Sequence, residues 1–131
     1  MRTWIRAAFL FSVLLATATS CGPGDGSNGS GIPKSTKLGM LTTAQAGTEC
    51  DYVNDKQGGY GRSVTCADGS TQTTDPDKAS CMKDVPGAGA SCPTLTVGDL
   101  EDCANAVGTN LCSLPTASAC AAFNACLASL N

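Results

Sequence analysis

Thr96-Val97-Gly98-Asp99-Leu100-Glu101-Asp102-Cys103-Ala104-Asn105-Ala106-Val107-Gly108 sets the character of this chain. Thr96 and Asp99 stand at the spacing of a capping box, in which each side chain satisfies the other residue's backbone N–H. Asp99, Glu101 and Asp102 crowd the first turns, where the helix dipole is positive and carboxylates are stabilised. Val97, Leu100, Cys103, Ala104 and Val107 fall on one stripe, and Gly108 supplies a stop. The segment reads as a short amphipathic helix with a cysteine on its buried face.

Three more helices follow from working outward. Downstream, Ala119, Cys120, Phe123, Cys126, Leu127 and Leu130 recur at helical spacing, so a last helix is expected from near Thr116 or Ser118. Upstream, Asp75 and Pro76 read as the cap and first turn of a helix carrying Ala79, Cys81, Met82 and Val85. It is expected to stop at Pro86-Gly87, with Gly87-Ala88-Gly89-Ala90 as a loop. Further back, Thr42 and Gln45 form another capping box, and Met40, Leu41, Ala46, Cys50 and Val53 give a partial apolar face. The Gly58-Gly59-Tyr60-Gly61 cluster ends that helix. Between these helices, Ser63-Val64-Thr65-Cys66 and Thr71-Gln72-Thr73-Thr74 flank Asp68-Gly69, a hairpin signal whose two central residues want positive φ. The expected fold is mostly α, with about four short helices and one small β-hairpin.

Such a chain is short of apolar bulk. From Cys21 onward it has seventeen Val, Ile, Leu, Met or Phe residues and three aromatics, Tyr52, Tyr60 and Phe123. Small domains bury a low share of their surface, so packing alone barely exceeds chain entropy. Cysteine fills the gap. The chain has nine cysteines and no histidine. Metal sites usually bring ligands in close pairs, whereas the tightest spacing here is Cys120 to Cys126, so Cys50, Cys66, Cys81, Cys92, Cys103, Cys112, Cys120 and Cys126 are read as disulfides and no metal or cofactor is expected. Cys120 and Cys126 lie about 9 Å apart along one helix axis and cannot bond each other. Eight cysteines otherwise allow more connectivities than sequence can choose among. A Cys81–Cys92 bond is the favoured guess, on the reasoning that Pro86-Gly87 turns the chain back.

The first twenty residues read as a signal peptide. Arg2 and Arg6 precede the apolar run from Ala7 to Ala18, too short to cross a bilayer, which takes roughly 20 residues. Two cleavage readings compete. Ala16-Thr17-Ala18 fits a small-x-small site that leaves a freely secreted protein. Ala18-Thr19-Ser20-Cys21 resembles the lipobox of bacterial lipoproteins, which would make Cys21 a lipidated first residue. Parity favours the second: cutting after Ala18 leaves an odd thiol, while acylating Cys21 leaves eight that can all pair. Gly22, rather than aspartate, after Cys21 is compatible with transport to the outer membrane. Residues 21–37 then form the lipidated cysteine and a flexible Gly/Ser-rich tether, and residues 38–131 the cysteine-rich domain.

Charge and composition exclude several functions. Beyond the leader, six Lys or Arg face eleven carboxylates, and nothing basic clusters, so nucleic acid is not an expected partner and membrane contact falls to the lipid on Cys21. Without histidine there is no Ser-His-Asp triad or Cys-His pair. Asp99, Glu101 and Asp102 are assigned to the helix dipole rather than to acid–base catalysis, and no catalytic residue is expected. The Tyr60 and Arg62 loop is the candidate binding site, since an aromatic and a guanidinium on a glycine-rich turn suit a ligand contact.

Cys50-Asp51-Tyr52, Gly58-Gly59-Tyr60-Gly61, Thr65-Cys66, Lys78-Ala79-Ser80-Cys81, the Val97–Ala106 helix and Ala119-Cys120-Ala121-Ala122-Phe123-Asn124-Ala125-Cys126 together resemble small cysteine-rich lipoproteins that large-genome Gram-negative bacteria carry in many copies. That resemblance, over roughly residues 42–127, implies placement in the cell envelope and no assigned activity. The functional expectation is a lipid-anchored, non-enzymatic envelope protein, outer-membrane bound, presenting a binding or structural surface to an unidentified envelope partner. The alternative is an exported small enzyme, inhibitor or toxin-like module acting through Tyr60 and Arg62.

Overall fold

Each cysteine from Cys50 to Cys126 is bonded to another, and the bonds tie every helix to a neighbour. The computed structural model describes residues 29–129; the expected leader, Cys21 and the start of the tether lie outside the described residues. The bonds are Cys50–Cys81, Cys66–Cys112, Cys92–Cys126 and Cys103–Cys120, with Cα separations of 4.6–6.0 Å. None joins cysteines that are neighbours in the chain.

Four α-helices form among the described residues: α1 (Thr43–Lys56), α2 (Lys78–Ser91), α3 (Val97–Val107) and α4 (Ala121–Ser129). Strands β1 (Ser63–Thr65) and β2 (Thr71–Thr73) pair antiparallel, with Val64 opposite Gln72. The mostly helical, disulfide-rich architecture with one small hairpin is thus as expected. Both capping boxes form, Thr42 with Gln45 and Thr96 with Asp99. The glycine cluster ends α1 in a Schellman motif: Gly59 N–H reaches Asn54 O at 2.7 Å and Gly58 N–H reaches Asp55 O, with Gly58 at φ +90°. In the hairpin only Gly69 takes positive φ (+84°), and Cys66 N–H donates to Ser70 O. The loop is therefore a three-residue turn closing on one left-handed glycine, not a two-residue turn with both centres inverted.

Helix α2 departs from expectation. It starts at Lys78, capped by Asp77 rather than Asp75, and runs through Pro86 to Ser91. The stretch Gly87–Ala90, expected as a loop, is helical. Packing outweighs the lost N–H of Pro86: a Cβ on Gly89 would stand 2.1 Å from Gly39 N and 2.5 Å from Leu38 C, so the backbones of α2 and the 3-10 turn Leu38–Met40 meet directly. A continuous helix also forbids the Cys81–Cys92 bond, because its two ends lie about 16 Å apart along the axis. Cys81 instead reaches α1 and Cys92 reaches α4.

The core is divided. Leu38, Cys92, Leu95 and Val97 are buried together, with Ile32, Val85, Leu100 and Phe123 against them. Cys103, Val107, Leu111 and Cys120 form the second cluster, beside Val64 and Leu114. Half of the second cluster is cystine. The hairpin is clipped onto it by Cys66–Cys112, which supplies what two three-residue strands lack on their own.

The described part of the segment read as a flexible tether, residues 29–37, is packed on α3. Gly98 N–H donates to Lys34 O and Val97 N–H to Thr36 O, both at 2.9 Å. Lys37 bridges Thr96, and Lys34 Nζ pairs with Asp102 at 2.7 Å. The domain therefore begins before Leu38.

Candidate functional site

Helix phase turns two glutamates inward. On α1, Glu49 lies three residues after Ala46 and four before Val53, so it shares their buried face. On α3, Glu101 lies four residues after Val97 and three before Ala104, again in phase with the core. Glu49 is 0% exposed and Glu101 is 1% exposed. Both are glutamates on facing helices, and both sit beneath the strap of residues 29–34.

Their surroundings differ. Glu101 Oε1 accepts the Ser30 N–H at 2.6 Å, a charge-assisted bond. A Cβ on Gly29 would fall 2.6 Å from Glu101 Oε2, so the strap can lie this close only because residue 29 is glycine. Neither oxygen of Glu49 has a hydrogen-bond partner of normal geometry. Burial pushes its carboxyl up to about 7; the nearby Ser30 side chain opposes that rise and the Glu101 charge adds to it. A carboxyl group in this condition holds its proton far more tightly than one in water. The assignment of Glu101 to the helix dipole does not hold: Asp99 caps the helix, Asp102 pairs with Lys34, and Glu101 is buried. The usable signal was an acidic residue at an inward helical position with no cation at matching spacing.

Tyr60 and Arg62 are committed within the domain. Tyr60 O–H donates to Asp51 Oδ1 at 3.2 Å, and Asp51 also pairs with Lys78, linking the glycine loop to α1 and α2. Burial, then Asp51, pushes the Tyr60 hydroxyl up to about 12. Arg62 Nη1 donates to Gln57 O at 2.8 Å and to Thr109 O at 2.6 Å, tying the end of α1 to the end of α3. Arg62 and Thr74 exchange further bonds, Thr74 N–H to Arg62 O and Arg62 N–H to Thr74 Oγ1. Arg62, but not Tyr60, lines a shallow depression with Gly61, Thr73, Thr74 and Pro76. Neither Tyr60 nor Arg62 hydrogen-bonds Glu49 or Glu101.

An apolar cavity of about 110 Å³ lies between α3 and α4, lined by Leu100, Ala104, Leu114 and Phe123, with Gln57 and Asn124 at its edge. It has room for one branched aliphatic group or a small ring and carries no titratable side chain. Among the described residues, no three His, Cys, Asp or Glu side chains converge as metal ligands, and no helix is long and apolar enough to cross a membrane.

Fold and sites together define a small, disulfide-stapled, mostly helical domain with a buried glutamate pair. Compared with known proteins, the chain matches no family model, no curated protein and no solved structure.

Proposed function

We propose that this is an exported, lipid-anchored envelope protein, held at the membrane through Cys21, whose stapled domain presents a non-enzymatic binding or structural surface. The observation that carries the reading is cysteine accounting. All eight cysteines from Cys50 to Cys126 are consumed in four bonds, which leaves Cys21 as the single odd sulfur of the chain. Four such bonds persist in oxidising compartments, which fits export. A lone cysteine directly behind a short apolar leader fits acylation. The domain surface supports a passive role: Tyr60 and Arg62 spend polar atoms on internal bonds, and the apolar cavity offers no acid, base or nucleophile.

Membrane fractionation of a Cys21→Ser variant, with incorporation of a labelled fatty acid as a second readout, tests this. The wild type is expected to take up label and sediment with membranes, and the variant to do neither. Unchanged sedimentation and no labelled wild type would overturn the anchor. An envelope partner is sought by cross-linking in intact cells; hydrolytic turnover of a common ester, glycoside or peptide substrate by pure protein would favour the enzyme instead.

A further inference from the structure

Residues 29–34 reach both buried glutamates from one side. The strap is fastened to α3 at its C-terminal part by Lys34 O and Thr36 O, while its N-terminal part rests on Glu101 through a single backbone bond from Ser30. Gly31, at φ +84°, sits between the two attachments. Beneath it, neither oxygen of Glu49 has a hydrogen-bond partner of normal geometry, although the Ser30 side chain is nearby, and Glu101 accepts one bond.

The charges facing this place come from three elements. The strap contributes Lys34, which pairs with Asp102 and feels Glu101 and Tyr52 at longer range. Helix α3 contributes Glu101 and Asp102, and α1 contributes Glu49 and Tyr52. Among the described residues the ion pairs are Lys34–Asp102 and Lys78–Asp51, so neither glutamate is neutralised by a bonded cation. Burial first, and then the neighbouring Glu101, make an ionised Glu49 costly in the closed domain.

We propose that residues 29–34 form an acid-closed latch: the strap stays seated while the buried Glu49 beneath it holds its proton, and it unseats when that proton leaves to solvent. With Glu49 protonated, the closed strap buries a neutral carboxyl there, and Glu101 Oε1 accepts the Ser30 N–H. After deprotonation, the Glu49 charge in the closed state has only the nearby Ser30 side chain to offset its burial. Lifting Ser30 admits water to both carboxylates. The Lys34–Asp102 pair lies more than half exposed, where an ion pair contributes little, so it neither drives nor blocks the change. The device is independent of whether Cys21 is acylated. In an anchored protein, however, it would set how much free chain separates the membrane from the domain.

Hydrogen exchange of the exported, fully oxidised protein, read residue by residue at pH 5.5 and 8.5 and corrected for intrinsic rates, tests the latch. The carboxyl of Glu49 at about 7 against an ordinary 4.5 predicts about a 30-fold loss of protection at Ser30 and its neighbours between these pH values. Interior amides of α3 are expected to keep theirs. Glu49→Gln should hold the strap protected at both pH values. Protection at residues 29–33 that changes less than three-fold, or a loss shared equally by α1 and α3, would overturn the proposal. So would a Glu49→Gln protein that still loses protection at pH 8.5; should that variant fail to fold, the wild-type comparison decides alone.

Discussion

Replacing Glu49 with glutamine should make the domain more stable at alkaline pH and leave it almost unchanged in acid. The folded state raises the Glu49 carboxyl from 4.5 to about 7, so it binds the proton more tightly than the unfolded chain does. The resulting stabilisation is complete below pH 4.5, declines as pH rises, and is gone above about 7. At roughly 1.4 kcal/mol per pH unit the full swing is about 3 kcal/mol, most of it between pH 5 and 8. Glutamine is neutral throughout and similar in shape, so the variant lacks this decline. At about pH 4 both chains bury a neutral group at residue 49, and their stabilities should agree within about 0.5 kcal/mol. At pH 8 the variant should lead by about 1–3 kcal/mol, the lower figure applying if the strap yields before the helices do. Urea unfolding followed by far-UV circular dichroism, with the disulfides intact, measures both; the only tryptophan, Trp4, falls outside the described domain and does not report on its packing. Equal stability at pH 8, or a variant weaker than wild type there, would refute the argument.

Two glycines of α2 should respond in opposite directions. Gly89→Ala forces a methyl group into the Leu38-Gly39 backbone and should cost about 2 kcal/mol or more, whereas at Gly87 an added Cβ meets nothing within 4 Å and should gain about 0.5–1 kcal/mol from helix propensity; thermal melts of both variants check this. Removing the Cys66–Cys112 bond with a double alanine substitution should cost about 3–4 kcal/mol, since it closes a 46-residue separation and holds the hairpin. That variant should also lose exchange protection in β1 and β2 before α3, and uniform loss would contradict the role assigned to the bond.

What was legible in the sequence was local. Thr42, Gln45, Thr96 and Asp99 each declare a helix start within four residues, and the glycines after α1 and α3 declare the stops; these features need no partner to be read. Where the deciding contact lies far along the chain, the sequence was silent or misleading. Pro86 and the glycines behind it look like a break, yet Gly89 is small because Gly39, fifty residues away, packs against it. The Gly29-Ser30-Gly31 stretch has linker composition, yet glycine at 29 is what admits Glu101. The disulfide pairing followed from the same error, since a chain that turns at Pro86 would have set Cys81 beside Cys92. The buried glutamates were within reach of periodicity, but Glu101 was assigned to the helix dipole and Glu49 was not singled out.

Peptide mapping of the unreduced protein, isolated from its native host, by mass spectrometry addresses the central claim most directly. The account predicts four cross-linked peptide pairs, Cys50–Cys81, Cys66–Cys112, Cys92–Cys126 and Cys103–Cys120, with Cys21 in none of them. A Cys81–Cys92 peptide, free thiols among these eight, or Cys21 joined to any of them would contradict it.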